Sequence, residues 1–384
     1  MGSGKERAWK TQGIKEFFFT GNNDIMKVME TIVKKIDKNN IDADIIQEAG
    51  DILRRGGLVA FPTETVYGLG ANALEEKAAK KTYAAKGRPS DNPLIVHIAD
   101  YEDLRRIAVN IPPETDALAA HFWPGPLTMI FWKSDVVPYG TTGGLETVAV
   151  RMPSDPAALA LIRAAGGFVS APSANTSGRP SPTTAQHVWD DLAGRIDMII
   201  DGGPVGIGLE STIVDVSGPV PTVLRPGAVT MEMLEDTLGK VAIDPAILGP
   251  MAEGERPKAP GMKYKHYAPK ADLTLVEPSG TQTDAMTAEV RRLALEAGKA
   301  GRRVGIICTD ESRQCYADVA GALIRSIGSR REPSSVAHNL YRVLREFDDL
   351  EADCIFSESF PQDHLGQAIM NRLSKAAAYH IVRV

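Results

Sequence analysis

Two short polar stretches hold residues suited to a phosphorylated substrate. Lys86 and Arg88 flank Gly87 and are followed by Pro89 and Pro93. Proline disfavours helix in the residue before it, so Arg88 and Asn92 are expected to be extended and the loop stiff. In extended backbone, residues two apart face the same way at roughly 6.6 Å. This predicts that both cations project together, a pair suited to an oligophosphate or to a phosphate beside a carboxylate. A loop restricted before binding also loses less freedom when a ligand arrives. A Lys/Arg turn is more often plain solvated charge, but the two prolines and the apolar run 94–98 favour a site. The second stretch, 170–181, is dense in hydroxyl and amide groups, and Ser173 and Asn175 repeat the two-residue spacing. A second wall facing the first across a cleft is the expected arrangement.

Further candidates lie at the ends of apolar segments. Thr63 and Thr65 follow a strand at 58–61, where α/β proteins commonly place ligand contacts; turn hydrogen bonding is the equal alternative. His97 lies inside the strand 94–98, where a satisfied core histidine is the commoner outcome. Arg151, among apolar neighbours at 147–152, needs an anionic partner, either a structural carboxylate or a substrate. Ser211 and Arg225 add polar groups at strand ends.

The elements that must position these residues are legible as period and punctuation. Helical spacing runs over 41–53 and stops at Gly56 and Gly57; a helix at 74–85 delivers the chain into the basic loop. Helices at 114–122 and 183–192 alternate with strands at 127–132, 147–152 and 196–200. Residues 249–269, rich in proline, glycine and lysine, read as an interdomain linker with few packing residues, yet 260–269 carry aromatic and basic groups that a passive spacer does not need. Beyond it, strands at 273–276, 304–308 and 354–357 alternate with helices at 284–300, 334–350 and 365–379, which predicts a small open parallel α/β domain. Between Gly305 and His364 no phosphate loop and no acid/base constellation stands out.

Composition bounds the function. A chain of 384 residues has room for two domains, and a net charge of −6 argues against coating nucleic acid by bulk electrostatics, so a polyanion site must be a local pocket of cations. The three cysteines, Cys308, Cys315 and Cys354, form no CxxC pair, which supports neither a disulfide framework nor a cysteine-rich zinc site. No apolar run reaches the roughly eighteen residues of a membrane span, and the N-terminus lacks a signal-peptide pattern, so a cytoplasmic location is expected.

Assembled in order, the motifs are FPTETVYGLGANA at 61–73, KGRPSDNPLIVHI at 86–98, WPGPLT at 123–128, VAVRMP at 148–153, SAPSAN at 170–175, SGRPSPT at 177–183, ESTIVD at 210–215, LRPG at 224–227 and PGMKYKHYAP at 260–269. In order and spacing the chain resembles the threonylcarbamoyl-AMP synthase family, the YrdC-type enzymes, in their long two-domain form. The resemblance implies a YrdC-like α/β domain at 29–248 with a twisted mixed sheet and a concave basic surface. A linker at 249–270 would close on the active site, and a small Rossmann-like parallel domain would follow at 271–384. Residues 1–28 fall outside the pattern, and translation is expected to begin at Met26 or Met29.

The implied reaction joins ATP, L-threonine and bicarbonate or CO2 into threonylcarbamoyl-AMP and pyrophosphate, the product passing to a tRNA threonylcarbamoyl transferase. Lys86, Arg88, Ser173 and Asn175 would be catalytic. Thr65, His97, Arg151 and Ser211 would contact threonine, and Arg88, Asn92, Thr147, Ser173, Ser181, Arg225 and Tyr264 would contact ATP. Mg2+ is expected on the triphosphate with no protein ligand, and any RNA binding is expected to be weak. Carbamoyl transfer of the hydrogenase-maturation type is the nearest rival, but those chains resemble larger proteins with cysteine-rich modules. An RNA-binding or ribosome-maturation module is the rival from another class.

Overall fold

A computed structural model describes residues 29–247, 249, 256–262, 266–280 and 283–384. Tyr264 and the 1–28 extension lie outside the described residues. The chain builds two sheets. The first is mixed and holds twelve strands among the described residues. Its middle carries the site: Ile95–His97 pairs in parallel with Thr147–Arg151 and antiparallel with Val169–Ser170, which in turn pairs with Gly68–Asn72. Register sets His97 directly beside Arg151. Leu127–Lys133 pairs with Thr147–Arg151 on one edge and with Thr212–Asp215 on the other, and Thr222–Arg225 follows antiparallel. The second sheet is wholly parallel, in the order Leu323–Ser326, Val304–Cys308, Cys354–Glu358, Asp272–Glu277, Ile381–Arg383.

Local sequence accounts for these elements. Asp42 caps the helix Ala43–Arg54 by accepting from the Asp44 and Ile45 amides, and Gly56 turns the chain at φ 73°. Asp155 caps Pro156–Ala164 in the same way, with proline in the first turn. Four central strands, Val59–Phe61, Ile95–His97, Val169–Ser170 and Cys354–Glu358, are buried on both faces, which is why they read as short apolar runs without alternation.

Residues 68–72, to which the sequence reading assigned no element, form the strand Gly68–Asn72, whose glycines allow close approach: a Cβ on Gly70 would meet Phe61 and the Val59 carbonyl at 3.0 Å. One expectation is corrected: the linker is not poor in packing residues. Ala259 and Met262 join the apolar cluster of Ile95, Ile130 and Leu224, and Tyr267 stacks on Tyr341 with ring centroids 5.4 Å apart. Val66, Leu209 and Tyr267 share one core with Leu340, Tyr341 and Leu373, so the two halves are joined by a common apolar interior.

Candidate active site

Lys86 ends the helix Glu76–Lys86, and Gly87 adopts the left-handed conformation at φ 61°. The Gly87 amide bonds to the Ala84 carbonyl and the Arg88 amide to that of Tyr83, a Schellman closure. Lys86 is therefore helical, and the expected extended KxR geometry is replaced by a helix cap: glycine at this spot stops the helix before the prolines take effect. Both side chains still reach the same cavity. Arg88 is held from below by its own loop, its Nη2 donating to Asn92 Oδ1 at 2.7 Å and to the Pro93 carbonyl at 2.9 Å.

The opposite wall is tied in through backbone. Leu69 and Ala174 amides donate to the Pro172 and Tyr67 carbonyls, and the Ser177 amide donates to the Lys86 carbonyl. Lys86 Nζ donates to the carbonyls of Ser173 and Asn175, each at 2.5 Å. Asn175 Nδ2 donates to the Thr176 and Arg179 carbonyls, leaving its Oδ1 buried and without a partner.

The two walls line one cavity that is open to solvent. Ten of the thirteen residues given a role by the family resemblance line it: Thr65, Lys86, Arg88, His97, Arg151, Ser173, Asn175, Ser181, Ser211 and Arg225. Asn92 lies behind Arg88, buried, as a hydrogen-bond acceptor for the guanidinium. Thr147 begins the strand that Arg151 ends and is not among the residues lining the cavity.

Arg151 meets the expectation of an anionic partner. Its Nη2 lies 2.7 Å from Glu64 Oε1, and its Nη1 donates to Thr65 Oγ1 at 2.9 Å. His97 is neutral, because burial first and then the neighbouring Arg151 hold its pKa down to about 3. Its Nδ1 lies 3.2 Å from the Ile95 carbonyl, which can only accept, so Nδ1 carries the proton and Nε2 is left as an acceptor. Burial and then Arg88 also push the Lys86 ammonium well below its ordinary pKa. On the third side, Arg225 donates to the Ser211 carbonyl at 3.0 Å and to Ser211 Oγ at 3.1 Å.

Sequence reading missed the back of the site. Glu210 lines the cavity, fully engaged: Ser181 Oγ, Tyr341 OH and Arg372 Nε all donate to its carboxylate. Burial raises its pKa, but Arg372 and Arg225 outweigh that and keep it ionised. Arg345 donates to the Pro180 carbonyl and to Asp191, which also pairs with Arg179. Two helices of the C-terminal domain, Pro333–Asp349 and His364–Ala376, thus back the 179–181 turn and Glu210. Charged side chains on the otherwise apolar faces of those helices were the available signal. Among the described linker residues, Pro260, Gly261, His266 and Tyr267 complete the cavity.

Comparison with known proteins places this geometry. Residues 51–227 match the family model described as Telomere recombination (Sua5, YciO, YrdC), and 229–378 match that of the threonylcarbamoyl-AMP synthase C-terminal domain. The chain is 46% identical to a threonylcarbamoyl-AMP synthase of Bacillus subtilis, over 93% of this chain and 100% of that protein. It is also 46% identical to a threonylcarbamoyl-AMP synthase of Pyrococcus abyssi, over 88% and 96%. The solved structure of P. abyssi Sua5 complexed with L-threonine superposes with a TM-score of 0.85 at 44% identity, covering 92% of this chain and all of that one. Identity at this level over nearly the full length, with both halves matched in order, means that the chain belongs to the threonylcarbamoyl-AMP synthase family.

Proposed function

We propose that this chain condenses ATP, L-threonine and CO2, or bicarbonate with loss of water, into threonylcarbamoyl-AMP and pyrophosphate, the product serving tRNA modification. The threonine amine adds to CO2 and loses a proton, giving a carbamate. A carbamate oxygen then attacks the α-phosphorus, the bond from that phosphorus to the bridging oxygen breaks, and pyrophosphate leaves with the electron pair. Such a displacement calls for alignment, cations and exclusion of water, and no protein nucleophile is required.

The observation that carries this reading is the meeting of the two walls at Lys86, Ser173 and Asn175, with Lys86, Arg88, Arg151 and Arg225 on one cavity. In it, Arg151 takes the threonine carboxylate, His97 Nε2 accepts from the amino acid, and Thr65 and Ser211 complete that pocket. Lys86, Arg88 and Arg225 offset phosphate charge, while Ser173, Asn175 and Ser181 hold the nucleotide. The one carboxylate among the cavity-lining residues, Glu210, is taken up by Arg372, Tyr341 and Ser181. That donor set fits Mg2+ carried by the triphosphate, where it would screen phosphate charge, better than a protein-held ion. The test is pyrophosphate release from ATP and bicarbonate with and without L-threonine, comparing wild type with Asn175→Ala. Threonine-dependent release that the variant loses while staying folded supports the reading; release indifferent to threonine overturns it.

A further inference from the structure

Two cations, one from each half of the chain, grip consecutive carbonyls of the linker. Arg225 Nη1, from the sheet, lies 3.4 Å from the Pro260 carbonyl. Lys375 Nζ, from the helix His364–Ala376, donates to the Gly261 carbonyl at 2.7 Å. Pro260 and Gly261 both line the cavity, and Gly261 sits at φ 89°, where a Cβ would come 3.0 Å from the Tyr267 hydroxyl. The turn is therefore pinned in one conformation, and only glycine meets it without strain.

Lys375 itself is enclosed, 8% exposed. Burial first, then Arg372 and Arg225, lower its pKa to about 7 against the opposing pull of Glu210. Burying an ammonium like that of Lys375 is costly unless acceptors meet it. Its neighbour one helical turn back, Arg372, already satisfies Glu210, so the ammonium is not needed there as a counter-ion. What it does make is the hydrogen bond to the linker.

We propose that Lys375 is a positioning residue for the adenylation step, by which the C-terminal domain holds Pro260 and Gly261 down on the nucleotide side of the cavity. The inference rests on the activity stated above and concerns the second domain's part in it. Lys375→Met keeps the length and apolar stem of the side chain and removes the donor; Lys375→Arg keeps a charged donor. In the full chain, Lys375→Met is expected to raise the KM for ATP about ten-fold, the scale of one lost charge-assisted hydrogen bond. The KM for threonine and the melting temperature should stay at the wild-type value, since Thr65, His97 and Arg151 are held by groups other than Lys375 and the Gly261 carbonyl. Lys375→Arg should restore most of the ATP affinity. An unchanged KM for ATP in the Met variant overturns the inference, as does a joint fall of both affinities with the melting temperature, which marks a structural role only. Wild-type protein that shows no threonine-dependent pyrophosphate release overturns the reading of the activity, and the inference with it.

Discussion

Lys86 Nζ lies 2.5 Å from the Asn175 carbonyl oxygen, so the cation of one wall is also the fastener of the other. Removing it opens the cavity and strips a positive charge at once. Lys86→Met is therefore expected to lower kcat/KM for ATP by at least about 100-fold, combining two hydrogen bonds to a charged donor. The melting temperature should change little, because the Ser177 amide still holds the Lys86 carbonyl. Pyrophosphate assays and a thermal melt check this.

Arg151 is set by three neighbours at once, Glu64, Thr65 and the Gly125 carbonyl. A planar fork held this way is not replaced by a point charge. Arg151→Lys should raise the KM for threonine about ten-fold or more while leaving that for ATP in place. Equal loss for both substrates would remove Arg151 from the amino-acid side.

Nucleotide binding should take up protons. Lys375 titrates near pH 7 and Lys86 is pushed well below its usual range, both chiefly by burial. An arriving triphosphate favours their charged forms, so the complex binds more protons than the free protein and affinity for ATP falls as pH rises above about 7. Calorimetry at pH 8 in two buffers of different ionisation enthalpy should show net uptake, smaller in Lys375→Met.

Acid should destabilise the fold through three histidines. His97, His187 and His266 are each held to about 3, first by burial and then by nearby arginine. Between their unfolded value near 6.5 and about pH 3 the unfolded chain binds more protons than the folded one, so stability falls as pH drops through that window. Melting temperatures from pH 7 to 4 should decline, and less steeply in His187→Asn.

Arg345 is 4% exposed and meets Asp191 at 2.7 Å. Arg345→Met leaves the buried carboxylate with Arg179 and the Thr176 amide and takes the donor from the Pro180 carbonyl, a loss of about 1–3 kcal/mol. Earlier melting, and faster proteolytic cutting between the two halves, are the expected readouts.

Much of this arrangement was legible in the chain because local rules and global fold agree. The helix running into the basic loop, the apolar strands around His97 and Arg151, and the Ser173–Asn175 spacing each point to a wall of the site, although the extended Lys86–Arg88 geometry gives way to the cap at Gly87. What local reasoning cannot supply is what approaches from far along the chain. Tyr341 and Arg345 sit on a helix whose period is that of an ordinary amphipathic element. Nothing near them in sequence tells that Glu210 and Asp191 await them. The strand Gly68–Asn72 was hidden for a different reason: its glycines are there for close approach to Phe61, and glycine ordinarily signals a turn.

The docking of Tyr341, Arg345 and Arg372 onto the first sheet has a practical corollary for anyone dissecting this molecule. A truncation ending before residue 256 would take Arg372 and Tyr341 from Glu210 and Arg345 from Asp191, and would bare Val66 and Leu209, which share a core with Leu340 and Tyr341. Such a fragment calls for polar side chains on that bared apolar surface if it is to be soluble alone, and its failure without them would say nothing about which half performs the chemistry.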